Sequence, residues 1–415
     1  MRIAIVDPSL FTIPYDRELC QALVELGHDV YFFSRPLRTE EALCLGNIPH
    51  KTVFYPLAER LRSLPRTVYL WIKGAEHLLS MSRFETLLKA IQPDVVHFQW
   101  LPLPTLDRYA MNRLKRRLPL VLTVHDSVPY NGCPSSRVQT GHYKDLLSSF
   151  QRLIVHTDQA VARLSSMGIA SEKVVTIPHG LLNVGPQWET RKAITEARDQ
   201  GSKAESLGKG PVVFLVLGKI KPYKGIDTLI KAAARMPEPI RKKCRFVIAG
   251  QPCMDVDGLK AMCAKYGLES YFHFECRYLT DEELHVFMKR SSAMVFPYRE
   301  IDASGVLMAC LPYGLPIVAS ELGVFKQMLT DGEHGRLVPV DAPAALARAL
   351  GELASDAGLR RRASDAVLRL SAAVPQWKRI AELTATVYNR AIEEHDQGER
   401  IATLHLPSQK SKALP

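Results

Sequence analysis

Short apolar runs bounded by turn residues alternate with helix-length amphipathic stretches twice along this chain, and that double alternation limits the fold more than any other feature. In the first half the runs fall at residues 2–6, 30–34, 95–98, 120–123, 152–155 and 174–177; in the second they fall at 212–217, 245–249, 272–274, 293–296, 317–319 and 335–338. Most are continuous in Val, Ile, Leu and Phe, as strands are when both faces are covered, and such strands separated by helices pair in parallel. Two doubly wound α/β domains are therefore expected. The length of 415 residues and the 47% hydrophobic content are enough to fill two cores. The expected domains are 1–183 and 211–375, with a linker over 184–210 where apolar content falls and Gly, Lys, Glu and Arg accumulate. An amphipathic helix over 376–396 carries Ile380, Leu383 and Val387 on one face, and 397–415 reads as a disordered tail.

Two strand-to-helix connections in the second half carry chemistry. The strand at 212–217 leads into Gly218-Lys219-Ile220-Lys221-Pro222-Tyr223-Lys224-Gly225, placing three lysines on one loop at the edge where open parallel sheets bind ligands. Lone lysines are usually solvated; three so close after a buried strand suit a diphosphate. Further on, FPYREIDASGVLMACLPYGLPIVAS runs from an acidic loop with Arg299, Glu300 and Asp302 into Ser304-Gly305-Val306 and an apolar helix. Ser304 can cap that helix, and the N–H groups of Ser304, Gly305 and Val306 can face a phosphate while the acids meet sugar hydroxyls. The bland alternative is an ordinary strand-loop-helix whose acids are solvated.

Together these segments resemble the donor half of retaining glycosyltransferases of the GT-B fold, family four, also called glycosyl transferases group 1. The resemblance implies two Rossmann-like domains, an acceptor domain and a nucleotide-sugar donor domain, around an interdomain cleft, with the last helix crossing back to the first domain. It puts Lys219 and Lys224 on the donor diphosphate, with Lys221 as a further candidate. It puts Glu300 first and Asp302 second at the donor sugar. The chain departs from the family where two glutamates are spaced by seven residues, since those positions hold Ile301 and Ala309. The second of these acids is the one the resemblance would put on the nucleotide ribose, and Ala309 has no carboxylate for it. His125 at the end of the strand at 120–123, in Thr123-Val124-His125-Asp126, resembles the family's strand-end histidine near the donor sugar, and with Glu300 it is the catalytic candidate. Pro129 to Gly132 then make a ligand-side loop. Arg277 and Tyr278, after the strand at 272–274, are the base-side candidates. His179-Gly180 is a hinge-side turn, and Asp7 to Tyr15 lacks the Gly-Gly pair of many relatives.

The reaction implied is transfer of a sugar from a UDP- or GDP-sugar to an acceptor hydroxyl with retention, in polysaccharide, glycolipid or other glycoconjugate synthesis. The alternatives are a GT-B nucleotide-sugar epimerase and a non-catalytic nucleotide-sugar-binding subunit. No cofactor is expected, and transfer is expected to be metal-independent, because Asp255-Val256-Asp257 lies in a loop and reads as solvated surface. Neither half has a Gly-x-Gly-x-x-Gly turn after its first strand, which disfavours a dinucleotide enzyme. The eight cysteines show no CxxC or metal spacing, and no apolar run is long enough to span a bilayer. These features and the immediate opening strand read as cytoplasmic. The formal charge of +11 gathers partly at 57–79, where Arg60, Arg62, Arg66 and Lys73 mix with Trp71 and aliphatics, and partly at Arg113 to Arg117. That pattern suits a peripheral contact with the anionic inner face of a cytoplasmic membrane and a glycan or lipid-linked acceptor. Nucleic acid is not expected, as no recognised binding module is present.

Overall fold

The computed structural model describes residues 1–38, 41, 48–128, 140–184 and 210–404. Seven parallel strands make the first sheet: β1 (Arg2–Asp7), β2 (Asp29–Ser34), β3 (His50–Thr52), β4 (Val95–Phe98), β5 (Leu120–Thr123), β6 (Arg152–Val155) and β7 (Val174–Thr176). Their order is 3-2-1-4-5-6-7. The second sheet holds β8 (Val212–Leu217), β9 (Cys244–Ala249), β10 (Phe272–Glu275), β11 (Ala293–Phe296), β12 (Ile317–Ser320) and β13 (Gly335–Val338), in the order 10-9-8-11-12-13. All pairings between these strands are parallel. This is the GT-B arrangement of two Rossmann-like lobes. In each sheet the winding direction reverses beside the first strand, between β1 and β4 and between β8 and β11. Those reversals leave a crevice at the strand C-termini, because the flanking helices depart to opposite faces.

The strands form where the sequence is apolar on both faces. On β1, Ile3 and Ile5 enter one core cluster while Ala4 and Val6 enter another on the other side of the sheet. Strand β3 was not expected. His50-Lys51-Thr52 has no apolar run and is mostly exposed, and it forms by pairing its backbone with β2 at the sheet edge. Edge strands need only one partner and no buried face, so hydrophobic patterning does not reveal them.

The last helix, Trp377–Leu404, packs on the Ile13–Glu25 helix of the first lobe and buries Ile380, Val387 and Tyr388. The Tyr388 hydroxyl meets His97 Nδ1 at 2.7 Å, and Trp377 Nε1 donates to the Leu181 carbonyl at 2.6 Å. The helix continues to Leu404, which corrects the tail expected from 397; residues 405–415 lie outside the described residues. The expected linker also lies outside them, except for Val184 and Gly210.

Pro65 separates the Pro56–Arg60 helix from the long Arg66–Ile91 helix. Lys73, expected on a basic surface, turns inward. Its ammonium lies 4.5 Å over the Tyr55 ring, and burial lowers its pKa to about 8. The outward face of the first half of the long helix is apolar instead, with Val68, Trp71, Leu78 and Leu79 exposed, Trp71 by 77%. None of the described helices is long and apolar enough to cross a membrane.

A glycine fixes the exit from the lysine loop into the following helix. Gly225 has φ +62° between the lysine loop and the Ile226–Arg235 helix, and a Cβ there would sit 1.9 Å from the Pro297 carbonyl oxygen. Gly27 is also left-handed, at φ +84°, but has open space around it. Gly225→Ala is expected to cost well over ~1 kcal/mol and Gly27→Ala about 1 kcal/mol, read as urea midpoints at constant m-value. Equal losses would show that the contact with Pro297 is not what demands glycine.

Candidate functional site

The two reversals face each other across a cavity of about 560 Å³ between the lobes. From the second lobe the loop after β8 contributes Lys219, Lys221 and Lys224, all on the cavity wall. Lys224 is 3% exposed. Its Nζ donates to the Leu217 carbonyl and lies 5.2 Å from the centre of the Tyr298 ring. Burial first, then Lys221, lowers its pKa to about 7, so this amine is only partly protonated at neutral pH. Lys221 lies 5.7 Å over the Tyr223 ring. Lys219 reaches across the cleft and sits 5.4 Å over the ring of Phe11, from the loop after β1.

The Gly305–Cys310 helix begins on the same wall. Ser304 caps it by accepting the Leu307 N–H at 3.2 Å, and Gly305 and Val306 line the cavity beside the lysines. The helix is one and a half turns long before a 3₁₀ turn (Leu311–Tyr313) and the left-handed Gly314. Its dipole is correspondingly small, and the lysines carry most of the positive charge. Ile301 and Ala309 also line the cavity. The two positions where the resemblance would put glutamates thus present apolar surface.

The first lobe supplies His125 and Asp126 after β5 and Trp100 after β4, with Phe11 touching Trp100 edge-on at 5.4 Å. His125 Nε2 contacts Gln99 Oε1 at 3.0 Å, and Tyr15 packs edge-on against its ring at 4.8 Å. Behind it lies His156, whose Nδ1–H donates to the Ile177 carbonyl at 2.9 Å, leaving Nε2 facing His125 Nδ1 at 3.4 Å. Burial, then neighbouring imidazoles, holds His125 well below its usual pKa; burial lowers His156 to about 4 and His179 to about 3. His125 is therefore a neutral hydrogen-bonding group at physiological pH. Asp126 moves the other way. Burial, then the charges of Asp302 and Glu300, push its carboxyl up to about 6 against Lys221 and Arg163.

Among the predicted site residues, His125, Lys219, Lys221, Lys224, Ser304, Gly305 and Val306 are brought together on one cavity. Glu300 and Asp302 are not. Arg163, from the Asp158–Ser166 helix of the first lobe, binds Glu300 at 3.2 Å and Asp302 at 3.1 Å. The other Asp302 oxygen accepts the Ser127 N–H at 2.6 Å, so Asp302 is tied into an interlobe cluster rather than standing on the cavity wall. Arg277 and Tyr278 are also off the wall. Glu275 and Glu283 pull the Arg277 guanidinium outward at 2.7 and 2.6 Å, and Tyr278 is exposed. Gln251 and Cys253, beyond β9, line the cavity instead. Pro129 to Gly132 lie outside the described residues. His179, read as a hinge turn, lines the cavity as well. Trp100 alone of these first-lobe wall residues has no place in the sequence reading, although it follows the C-terminus of β4, the signal that could have found it. Among the described residues no cluster of His, Cys, Asp and Glu is arranged to hold a metal ion. Asp255 instead accepts the Asp257 N–H at 2.9 Å, a turn at the start of the Asp257–Lys265 helix.

Comparison with known proteins agrees with this architecture. Residues 15–181 match the family profile Glycosyltransferase Family 4, and residues 198–368 match the profile Glycosyl transferases group 1. Two similar proteins are named D-inositol 3-phosphate glycosyltransferase. The one from Acidothermus cellulolyticus is 25% identical over 83% of this chain and 78% of its own length. The one from Streptomyces bingchenggensis is 24% identical over 70% of this chain and 64% of its own, so the match spans under two-thirds of that relative. Among solved structures, sucrose-phosphate synthase from Thermosynechococcus elongatus shares the fold with a TM-score of 0.71 at 20% identity, over 95% of this chain and all of that one. HepE from Anabaena, in complex with UDP and glucose, gives 0.67 at 16% identity, over 94% of this chain and all of that one.

The neutral imidazoles make stability depend on pH. His97, between Tyr388 and Thr123, is lowered to about 3 by burial, alongside His156 and His179. A folded pKa below the unfolded value of about 6.5 gives stability that is complete above ~6.5 and lost as pH falls toward the folded value. At pH ~4.5 each such histidine is expected to cost on the order of 2 kcal/mol. Urea midpoints of the wild type and His97→Gln should converge as the pH falls from ~7 to ~4.5; a constant gap between them would show that His97 is not held neutral.

Proposed function

We propose, from the premise that the chain is a glycosyltransferase-class enzyme built from a Family 4 domain followed by a group 1 domain, that it moves a sugar from a nucleotide-sugar donor to an acceptor hydroxyl with retention at the anomeric carbon. The observation that carries this reading is the convergence of Lys219, Lys221 and Lys224 on the cavity wall beside Gly305 and Val306, opposite His125. Cleavage of a sugar–diphosphate bond leaves charge on the departing phosphate, and cations held in a partly dry cleft stabilise it without reorganising. An anion beside Lys224 also raises the pKa of that amine, so the ammonium form is favoured as the leaving group is bound. Neutral His125 faces the lysines across the cavity without adding charge there. The lysines supply the charge a divalent ion otherwise would, which supports metal-independent transfer.

A structural neighbour's complex with UDP makes uridine diphosphate the first donor moiety to test. Ile301 and Ala309 offer no carboxylate to the ribose, so affinity should reside in the diphosphate. UDP is expected to bind at least ~100-fold more tightly than uridine, and Lys224→Ala to abolish most of that difference, both read by calorimetry. Binding near pH 7 should also take up protons, with an enthalpy that changes with the buffer's ionisation heat. Equal affinity for UDP and uridine would sink the reading.

For the acceptor we propose a glycan or lipid-linked hydroxyl presented at a membrane surface. The support is the apolar ridge of Val68, Trp71, Leu78 and Leu79 on the outward face of the Arg66–Ile91 helix, with Arg83 and Arg113 exposed nearby. The helix precedes β4, so its first turns lie at the sheet edge that carries the cleft. This fits a protein peripheral on the inner face of the cytoplasmic membrane. Sedimentation with vesicles containing phosphatidylglycerol should exceed that with phosphatidylcholine alone, and Leu78→Asp with Leu79→Asp should weaken it about tenfold. Indifference to both changes would remove the membrane from the proposal.

A further inference from the structure

We propose that Arg163 is a positioning residue that locks the two lobes in the arrangement in which the cleft is complete. It rests on the reading of the cleft as the reaction site. The acids it holds stand in the loop that leads into Ser304, and the amide fixed with them follows His125 and Asp126. This interlobe cluster therefore joins the histidine wall directly to the loop that begins the lysine-side helix, in addition to the Arg17–Asp281 pair at 3.7 Å elsewhere on the seam.

The geometry is that of a clamp rather than of an incidental surface pair. Arg163 Nη1 lies 3.1 Å from Asp302 Oδ1 and 3.2 Å from Glu300 Oε1, and 3.4 Å from the Ser127 hydroxyl. Asp302 is 4% exposed, and its second oxygen accepts the Ser127 N–H. The Asp302 carbonyl in turn accepts the Val324 N–H at 3.1 Å, tying the acidic loop to the second lobe. Two more contacts from the start of the same helix reach that lobe: Gln159 Oε1 accepts the Gly323 N–H at 2.9 Å, and the Asp158 N–H reaches Gln327 Oε1 at 3.3 Å.

Charge makes Arg163 the decisive member. Asp126, Glu300 and Asp302 interact through space at this seam, and Lys221 is the other cation acting on Asp126. Without the guanidinium, a buried carboxylate loses its counter-charge and faces two like charges across the seam, an arrangement relieved by separating the lobes and admitting water. The hydrogen-bonding contacts of Gln159 and Asp158 lack charge and cannot offset that repulsion.

The test uses the full chain without ligand. Solution X-ray scattering of Arg163→Ala is expected to show a larger radius of gyration than the wild type. Hydrogen exchange at the Ser127 amide should quicken about tenfold or more, while β1 and β8 keep their protection. Arg163→Lys should restore part of both, since it returns the charge with poorer geometry. If Arg163→Ala does not fold, Arg163→Gln makes the same comparison, removing the charge while keeping a hydrogen-bonding side chain beside Glu300 and Asp302. Unchanged dimensions and unchanged Ser127 exchange would overturn the proposal and leave the cluster an ordinary ion pair. Titration with UDP runs alongside: failure of the wild type to bind UDP would count against the donor reading, and scattering and exchange would still decide the role of Arg163.

Discussion

Parallel pairing of strands covered on both faces is the constraint on which everything else in this protein rests. A parallel sheet sends all its strand C-termini to one edge, and the helices that cover it leave a crevice where the winding reverses. Here that happens twice, beside β1 and beside β8, and the two crevices face each other. Phe11, Trp100 and His125 on one side and Lys219 and Tyr298 on the other occupy the cleft because each stands just past a strand end.

The electrostatics of the cleft follow from how deeply each group is set. Lys224 is held by a carbonyl and an aromatic ring and sits near the edge of its charged state. The histidines behind the opposite wall are neutral because they are buried among one another and Tyr15. Asp126 is kept from easy ionisation by burial and two nearby acids. Depth of burial thus sets the charge state on both walls of the cleft, on the amine as on the imidazoles and the carboxyl.

Much of this was legible beforehand. The apolar runs gave every strand except β3, whose His-Lys-Thr sequence forms a strand only because β2 offers an unpaired edge. The lysine loop and the Ser304 cap were readable because they depend on neighbours within a few residues. The acids at 300 and 302 were placed at the sugar, since an acidic loop next to a phosphate-sized site is chemically reasonable there. Nothing local to that loop reveals that Arg163, distant in sequence, claims both. Arg277 went astray similarly: Glu283 binds it from the first turn of the following helix.

The amino-acid order by itself determined the two-sheet architecture and the cationic loop, because patterning and short-range geometry act within one strand-loop-helix unit. Only the tertiary structure decided which groups face the cleft and which are spent holding it shut. It also turned Lys73 inward and left Trp71 in solvent. Ion pairs and burial depend on distances between segments far apart along the chain, and those distances are set by how the lobes pack rather than by any local pattern.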